Sequence, residues 1–412
     1  MPHDRFLDAL AGELATLDAR GNPKRNESVI TGVVPPADGF GPRYLLAGED
    51  HRRFLKMNSN NYLGMGLRAE VIEAEEAAVR RFGAGPGAVR FISGTYAPHV
   101  ELEARLAAFH RREAAMIFSS AYAAMIGTFV PLVSPETALV SDELNHNCII
   151  NAIRLARPKE KRVYRHNDTL DLEEKLLEVA GTCRRALVVT DGIFSMRGDH
   201  APLHEILTVA HRHDARFPEN VVVLVDDSHG VGACGATGRG TEEHLRSGPS
   251  DLLVGTLGKA FGVNGGYVVG PRVVIDFLRE SAPMYIYSNP ITPAEAAAAL
   301  AALELLESER GAELLAHLRA MTRRFRDGLA RLGFESLEGD HPVVPLMVRD
   351  TARTTELVRH LRAHGVLATG LNYPVVPKGD ETIRFQISAD HTEKDIDSVL
   401  DVLAKSRPAA RS

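Results

Sequence analysis

Six short runs of β-branched and other apolar residues punctuate the middle of the chain: Met116–Phe118, Thr137–Val140, Ala186–Thr190, Val221–Val225, Leu252–Thr256 and Tyr267–Val269. Helical spacing of apolar residues fills much of the sequence between them, as in Leu170–Val179 and Leu203–His211. Strands that alternate with helices place those helices on the faces of a sheet. The pattern therefore predicts an α/β fold whose mainly parallel sheet is covered on both sides. One connection departs from it. The stretch from Val254 to Tyr267 is too glycine-rich for a crossover helix, so one strand there is expected to run antiparallel.

The flanks read differently. Phe6, Leu7, Leu10, Leu14 and Leu17 recur at helical spacing and give one apolar stripe, which must bury itself on the body or on a second subunit. Gly21, Pro23, Pro35, Pro36, Gly39 and Gly41 then break the chain into turns. Beyond Pro293 come an alanine-rich helix (Ala294–Leu306) and a long helical pattern over roughly 310–332. A strand (Val343–Val348), a helix (Thr354–His364), a second strand (Ile383–Ile387) and a last helix (Lys394–Leu403) follow. The expected division is an N-terminal arm over 1–50, a large α/β domain over 51–295 and a small α+β domain over 296–412.

Composition removes several classes of function. With 48 basic and 54 acidic residues the net charge is −6, which leaves no electrostatic footprint for nucleic acid or an anionic membrane. No apolar run approaches the length of a membrane span. Asp4, Asp8 and Glu13 sit where a signal peptide needs an apolar core. Cys148, Cys183 and Cys234 are odd in number and widely spaced, which suits a reducing, cytoplasmic setting rather than a disulfide framework.

The chemistry-bearing residues gather where strands end. Asp226-Asp227-Ser228-His229 follows Val221–Val225 directly, and groups just past a strand's carboxyl end line the binding crevice of a parallel sheet. An aspartate there can hold a cationic ligand atom, although Asp and Ser also favour plain turns and caps. Gly230, Gly232 and Gly235 spell the dinucleotide fingerprint, but Gly238 and Gly240 prolong a loop where that motif opens a helix. Lys259 stands between Gly258 and Ala260, past the next strand. The P-loop reading fails there because Leu253 replaces its first glycine and Ala260 its hydroxyl. What remains is a lysine that small neighbours open to a planar ligand, and that desolvation would make nucleophilic. Ser119-Ser120-Ala121-Tyr122 closes a strand and opens a helix, a place suited either to a phosphate or to simple capping. His146 follows the Thr137–Val140 strand and reads as a ring-stacking group or a core histidine. Neither HExxH nor GxSxG occurs, so no metal is expected and the simplest serine-hydrolase reading falls away.

A phosphate cradle, a stacking histidine, an aspartate and a lysine at one sheet edge form the pattern of a pyridoxal-phosphate site. With Asn60–Gly64, Val89–Thr95, Asp191–Met196, Tyr285–Asn289 and Tyr373–Gly379, the chain resembles the α-oxoamine synthase family of fold-type I enzymes. Within it the chain is most similar to the glycine C-acetyltransferase (2-amino-3-ketobutyrate coenzyme A ligase) branch. The likeness spans nearly the whole chain, from Lys24–Ile30 to the last helix. It implies a large, mainly parallel seven-stranded sheet, a smaller C-terminal α+β domain, an N-terminal arm and a homodimer.

It also implies roles. Lys259 would bind the cofactor covalently and move the α-proton, and Asp226 would hold the pyridinium nitrogen protonated. His229 and Ser195 would bond the phenolic oxygen, and His146 would stack on the ring. Ala121, Tyr122, Thr256 and Ser288 of the partner subunit would hold the phosphate. Arg384 and Asn60 would grip the amino-acid carboxylate. The implied reaction joins an amino acid, glycine by resemblance, to an acyl-CoA, acetyl-CoA by resemblance, and releases coenzyme A. Arg197 stands where the family usually has aspartate. Gly198–Leu203 and Gly262–Gly266 look more like 8-amino-7-oxononanoate synthase, so the alternative reading is another α-oxoamine synthase, of that kind or one using a long-chain acyl-CoA. A fold-type I aminotransferase, sharing Lys259 and Asp226, is a more distant one.

Overall fold

A strand that is apolar on both faces, such as Val221–Val225, is stable only with cover on both sides. The computed structural model, which describes residues 3–19, 25, 27–373 and 376–406, supplies that cover. Seven strands form one sheet in the order Ala114–Phe118, Gly266–Gly270, Leu252–Thr256, Val221–Asp226, Arg185–Asp191, Thr137–Asp142, Glu160–Tyr164. All neighbours run parallel except Gly266–Gly270, which is antiparallel to both of its own, as the glycine-rich connection requires.

Successive residues of a strand face opposite sides, and the core divides accordingly. Leu139, Leu187, Val189, Leu224 and Val254 pack in one cluster with residues of the helices Ala121–Leu132 and Asn147–Ala156. Ala138, Val140, Ala186, Val188, Val223 and Val225 pack in another with residues of Thr169–Val179 and Leu203–His213. A third cluster joins Ile117, Leu253 and Tyr267 to the helices Pro293–Glu307 and Glu309–Arg331 and on to the C-terminal elements. There a three-stranded antiparallel sheet, in the order Val343–Met347, Thr382–Gln386, Thr369–Leu371, packs with the helices Thr351–Ala363 and Glu393–Lys405. A short parallel pairing of Leu55–Lys56 with Val366–Leu367 ties the start of the chain to this part.

The arm corrects one expectation. Its prolines and glycines shape only a connection, because Ile30–Val34 pairs antiparallel with Arg43–Leu46 on either side of them. Pro35 and Pro36 fall just past the first strand's end, where the missing N–H groups cost no ladder bond. Ahead of the hairpin, the helix Asp4–Ala19 buries none of its residues on this chain. Gly21, Pro23, Lys24 and Asn26, like Pro374 and Val375, lie outside the described residues.

Candidate active site

Register alone brings the site together. Asp191 lies opposite Asp226, Ser141 opposite Val189, and Asp226 opposite Val254. Gly266 lies opposite both Thr256 and Phe118. The carboxyl ends of the parallel strands, the start of the antiparallel one and the helix that opens at Ala121 therefore share one edge of the sheet.

At that edge two adjacent aspartates part company. Asp227 turns into the protein, where its carboxylate accepts the Thr241 amide at 2.8 Å and the Thr241 hydroxyl at 2.5 Å. Burial pushes it up to about 8, and it serves as an internal anchor. Asp226, also buried, accepts the Ser228 amide at 3.1 Å through Oδ1 and the Cys148 thiol at 3.5 Å through Oδ2. Its neighbour across the register, Asp191, is raised by burial first and by the Asp226 charge second. Asp191 Oδ2 accepts the His146 amide at 2.8 Å. The His146 ring in turn places Nδ1 3.0 Å from the Cys148 sulfur, and desolvation lowers the imidazole's pKa against the pull of Asp226.

Lys259 Nζ makes no hydrogen bond or ion pair with the described residues. Burial pushes it down to about 8, while Asp226 and Asp191 act in the opposite direction. On the other side of the crevice His229 Nδ1 lies 2.7 Å from the Tyr62 hydroxyl. Burial, then the Lys259 charge, holds this imidazole neutral. Arg384 donates to Asn60 Oδ1 at 2.9 Å, an oxygen also taken by Gln386 at 2.6 Å. The Arg384 Nε is buried without a partner, a donor left for an anion.

The helix at Ala121 begins with its cap already used. Ser120 accepts from the Ala123 amide at 3.0 Å, so the amides of Ala121 and Tyr122 remain for an external acceptor. Gly266 packs against this turn so closely that a Cβ there would stand 2.1 Å from the Ala121 nitrogen. Thr256 completes the cradle, its hydroxyl 3.3 Å from the Gly265 carbonyl and 3.1 Å from the Gly258 amide.

Lys259, Asp226, His146, His229, Thr256, Ala121, Tyr122, Arg384 and Asn60 thus converge. Two further predicted residues, like Lys259 itself, make no hydrogen bond to this set among the described residues. Ser195 is half-buried on the loop past Asp191, and the Ser288 hydroxyl lies 3.5 Å from the Asn289 carbonyl. Arg197 is accounted for: it donates to Asp199 at 2.8 Å, and Asp199 with Asp142 brackets His166. Asp191, Cys148 and Tyr62 carry site contacts that the sequence reading left without a role. A free lysine amine, a buried carboxylate facing it and unspent helix amides at the same edge fit pyridoxal phosphate.

Comparison with known proteins agrees. The model of the family "Aminotransferase class I and II" matches residues 52–403. The human mitochondrial 2-amino-3-ketobutyrate coenzyme A ligase is 41% identical over 400 residues, covering 96% of this chain and 91% of that one. An 8-amino-7-oxononanoate synthase from Thermosipho melanesiensis is also 41% identical, over 86% of this chain and 89% of its own. Among solved structures, a Sphingomonas wittichii serine palmitoyltransferase superposes with a TM-score of 0.88 at 28% identity, covering 98% of this chain and 97% of that one. A high-resolution structure of SPT with PLP gives 0.87 over the same shares.

Fold and site define a fold-type I transferase that uses pyridoxal phosphate. Within that class the chain belongs to the α-oxoamine synthase family.

Proposed function

We propose that this enzyme condenses glycine with acetyl-CoA to give 2-amino-3-ketobutyrate and free coenzyme A. The observation that carries the reading is the buried Lys259 amine, free of hydrogen bonds among the described residues, with Asp226 and Arg384 as charged neighbours. The match to the 2-amino-3-ketobutyrate ligase over 96% of the chain supports the choice of substrates.

Pyridoxal phosphate supplies, when bound, an electron sink conjugated to the amino acid's α-carbon. Lys259 would hold the cofactor covalently and, as a base, would take the α-proton at Nζ. A lysine near 8 is deprotonated often enough at neutral pH for that work. Asp226 would hold a proton on the cofactor's pyridine nitrogen by a charged hydrogen bond. His229 and Ser195 would donate to the cofactor's phenolic oxygen, and His146 would cover its ring. The Ala121 and Tyr122 amides, the Thr256 hydroxyl and Ser288 of the partner subunit anchor the phosphate. Arg384, steadied by Asn60, takes the carboxylate with its unspent Nε. Condensation forms a bond from the α-carbon to the thioester carbonyl and breaks the carbon–sulfur bond, so coenzyme A leaves as its thiol.

The equal identity to 8-amino-7-oxononanoate synthases supports a second reading, with a longer acyl-CoA and loss of the carboxylate. A matrix of amino acids against acyl-CoAs, read by free thiol, separates the two. Glycine with acetyl-CoA is expected to give the highest kcat/KM, with alanine or propionyl-CoA within about ten- to a hundredfold, since one methylene is worth about 1–3 kcal/mol. A longer acyl-CoA preferred by more than about a hundredfold overturns the substrate assignment. If none of the acyl-CoAs in the matrix releases thiol, the synthase reading itself is overturned.

A further inference from the structure

Away from the cofactor crevice, three side chains from distant parts of the sequence meet. His200 comes from the loop after Ser195, His244 from the helix Thr241–Leu245, and Asp340 from the segment before the strand Val343–Met347. His200 Nε2 lies 3.0 Å from Asp340 Oδ1, and His244 Nε2 lies 3.3 Å from Asp340 Oδ2. The two imidazoles stack at 15° with centroids 4.8 Å apart, and the donor atoms all lie within 4.8 Å of one another. The interaction with the two histidines holds the Asp340 carboxyl well below the usual range.

We propose that His200, His244 and Asp340 bind a zinc-class divalent ion. Two imidazoles and one carboxylate are the donor set of borderline transition metals rather than of magnesium or calcium. Zinc–ligand bonds of about 2.0–2.2 Å put tetrahedral ligands roughly 3.3–3.5 Å apart; the His244 contact at 3.3 Å has that spacing, and the His200 contact at 3.0 Å, to the other carboxylate oxygen, is slightly shorter. The donor atoms, all within 4.8 Å of one another, would draw closer around one ion. A cavity of about 270 Å³ opens beside Asp340 and His244, giving an entry path and room for water as fourth ligand. Three arginines, Arg319, Arg323 and Arg326, line that cavity, and none forms an ion pair with Asp340. Arg319 donates to the Gly235 carbonyl, and Arg326 donates to the carbonyls of Leu337, His341 and Val343. Their charge weakens the site for a cation, but the carboxylate stays available. The residue after Asp340 gives the ion a consequence: His341 Nε2 lies 2.9 Å from the His229 carbonyl, and its ring meets Tyr62 edge-on at 5.4 Å. The ion would clamp the segment that backs the crevice without entering the chemistry.

Cobalt(II) and zinc(II) are the probes, used on the cofactor-loaded enzyme so that Cys148 and His146 are covered. Equilibrium dialysis with metal analysis is expected to show one cobalt per chain, with visible ligand-field bands. His244→Ala should weaken binding at least about tenfold, the usual cost of disturbing a metal's coordination, and His200→Ala/His244→Ala should abolish it. Cofactor absorbance checks folding of each variant, and His244→Gln serves where the alanine variant loses the cofactor. Zinc at about a hundred times its Kd should shift the unfolding equilibrium of the parent enzyme roughly a hundredfold and leave the double variant unmoved. No cobalt bound to the parent, or equal binding by the double variant, overturns the site.

Discussion

Asp226 and Asp227 are adjacent, acidic and buried, and only the alternation of side chains at a strand's end assigns them different work. Asp226→Asn removes a charged hydrogen bond worth about 1.5–3 kcal/mol. Exchange of the glycine α-proton, followed by NMR in deuterated water, is expected to slow about ten- to a hundredfold; unchanged exchange would contradict the role given to Asp226. His166 offers a second test. Burial opposes its protonation, yet hydrogen bonds to Asp142 and Asp199 raise it to about 9. A folded-state value above the ordinary 6.5 means that the bound proton stabilises the fold fully below about 6.5, and that this contribution fades as pH rises through about 9. His166→Gln should therefore cost roughly 1–3 kcal/mol near pH 6 and progressively less toward pH 10, read from denaturant midpoints across that range. A pH-independent difference would refute it. The main residues were legible because strand ends and small flanking residues single out Asp226 and Lys259. Asp191 ends its strand in the same way and was open to the same argument. Cys148 and Tyr62 were not, since their parts depend on what a helix start and a distant loop bring near Asp226 and His229.

In the large sheet the apolar strands were readable and the polar one was not. Glu160–Tyr164 is a sheet edge whose sequence, Glu-Lys-Arg-Val-Tyr, is mostly charged, as edges must be to resist further pairing. It leaves no apolar run to find. The arm hairpin was missed for a different reason: Ile30–Val34 is largely apolar, but Pro35 and Pro36 just past it read as a turn. The antiparallel strand was foreseeable from its glycines, and one of them carries a prediction. Gly266→Ala drives a Cβ into the Ala121 amide, at an overpacking cost of about 1–3 kcal/mol. Apoenzyme titrated with pyridoxal phosphate by fluorescence should show a Kd raised about ten- to a hundredfold. Gly85→Ala, where a Cβ meets nothing within 4 Å, should leave it alone. Equal affinities for both variants would mean that the helix turn does not hold the phosphate.

On the scale of the molecule, one chain leaves much apolar surface uncovered. Phe6 is 63% exposed and Leu17 49% on the arm helix, and Phe91 and Ile92 are 66% and 68% exposed in the segment Val89–Thr95. Patches of this kind mark contact surfaces. With Ser288 bonded only to Asn289 in its own chain, they support a homodimer in which each subunit completes the other's phosphate site. Sedimentation at assay concentration is expected to show a dimer, and a fully active monomer would rule this out. Among the described residues no helix is long and apolar enough to cross a membrane. The three-residue cluster of His200, His244 and Asp340 was beyond sequence reading, because it is assembled by packing rather than by spacing.

The attachment point of the cofactor bears on all of this at once. Borohydride reduction of the purified enzyme, followed by peptide mapping, should place the whole of the fixed pyridoxyl group on Lys259, and Lys259→Ala should carry none. Label on a different lysine, or full turnover by Lys259→Ala, would contradict the account.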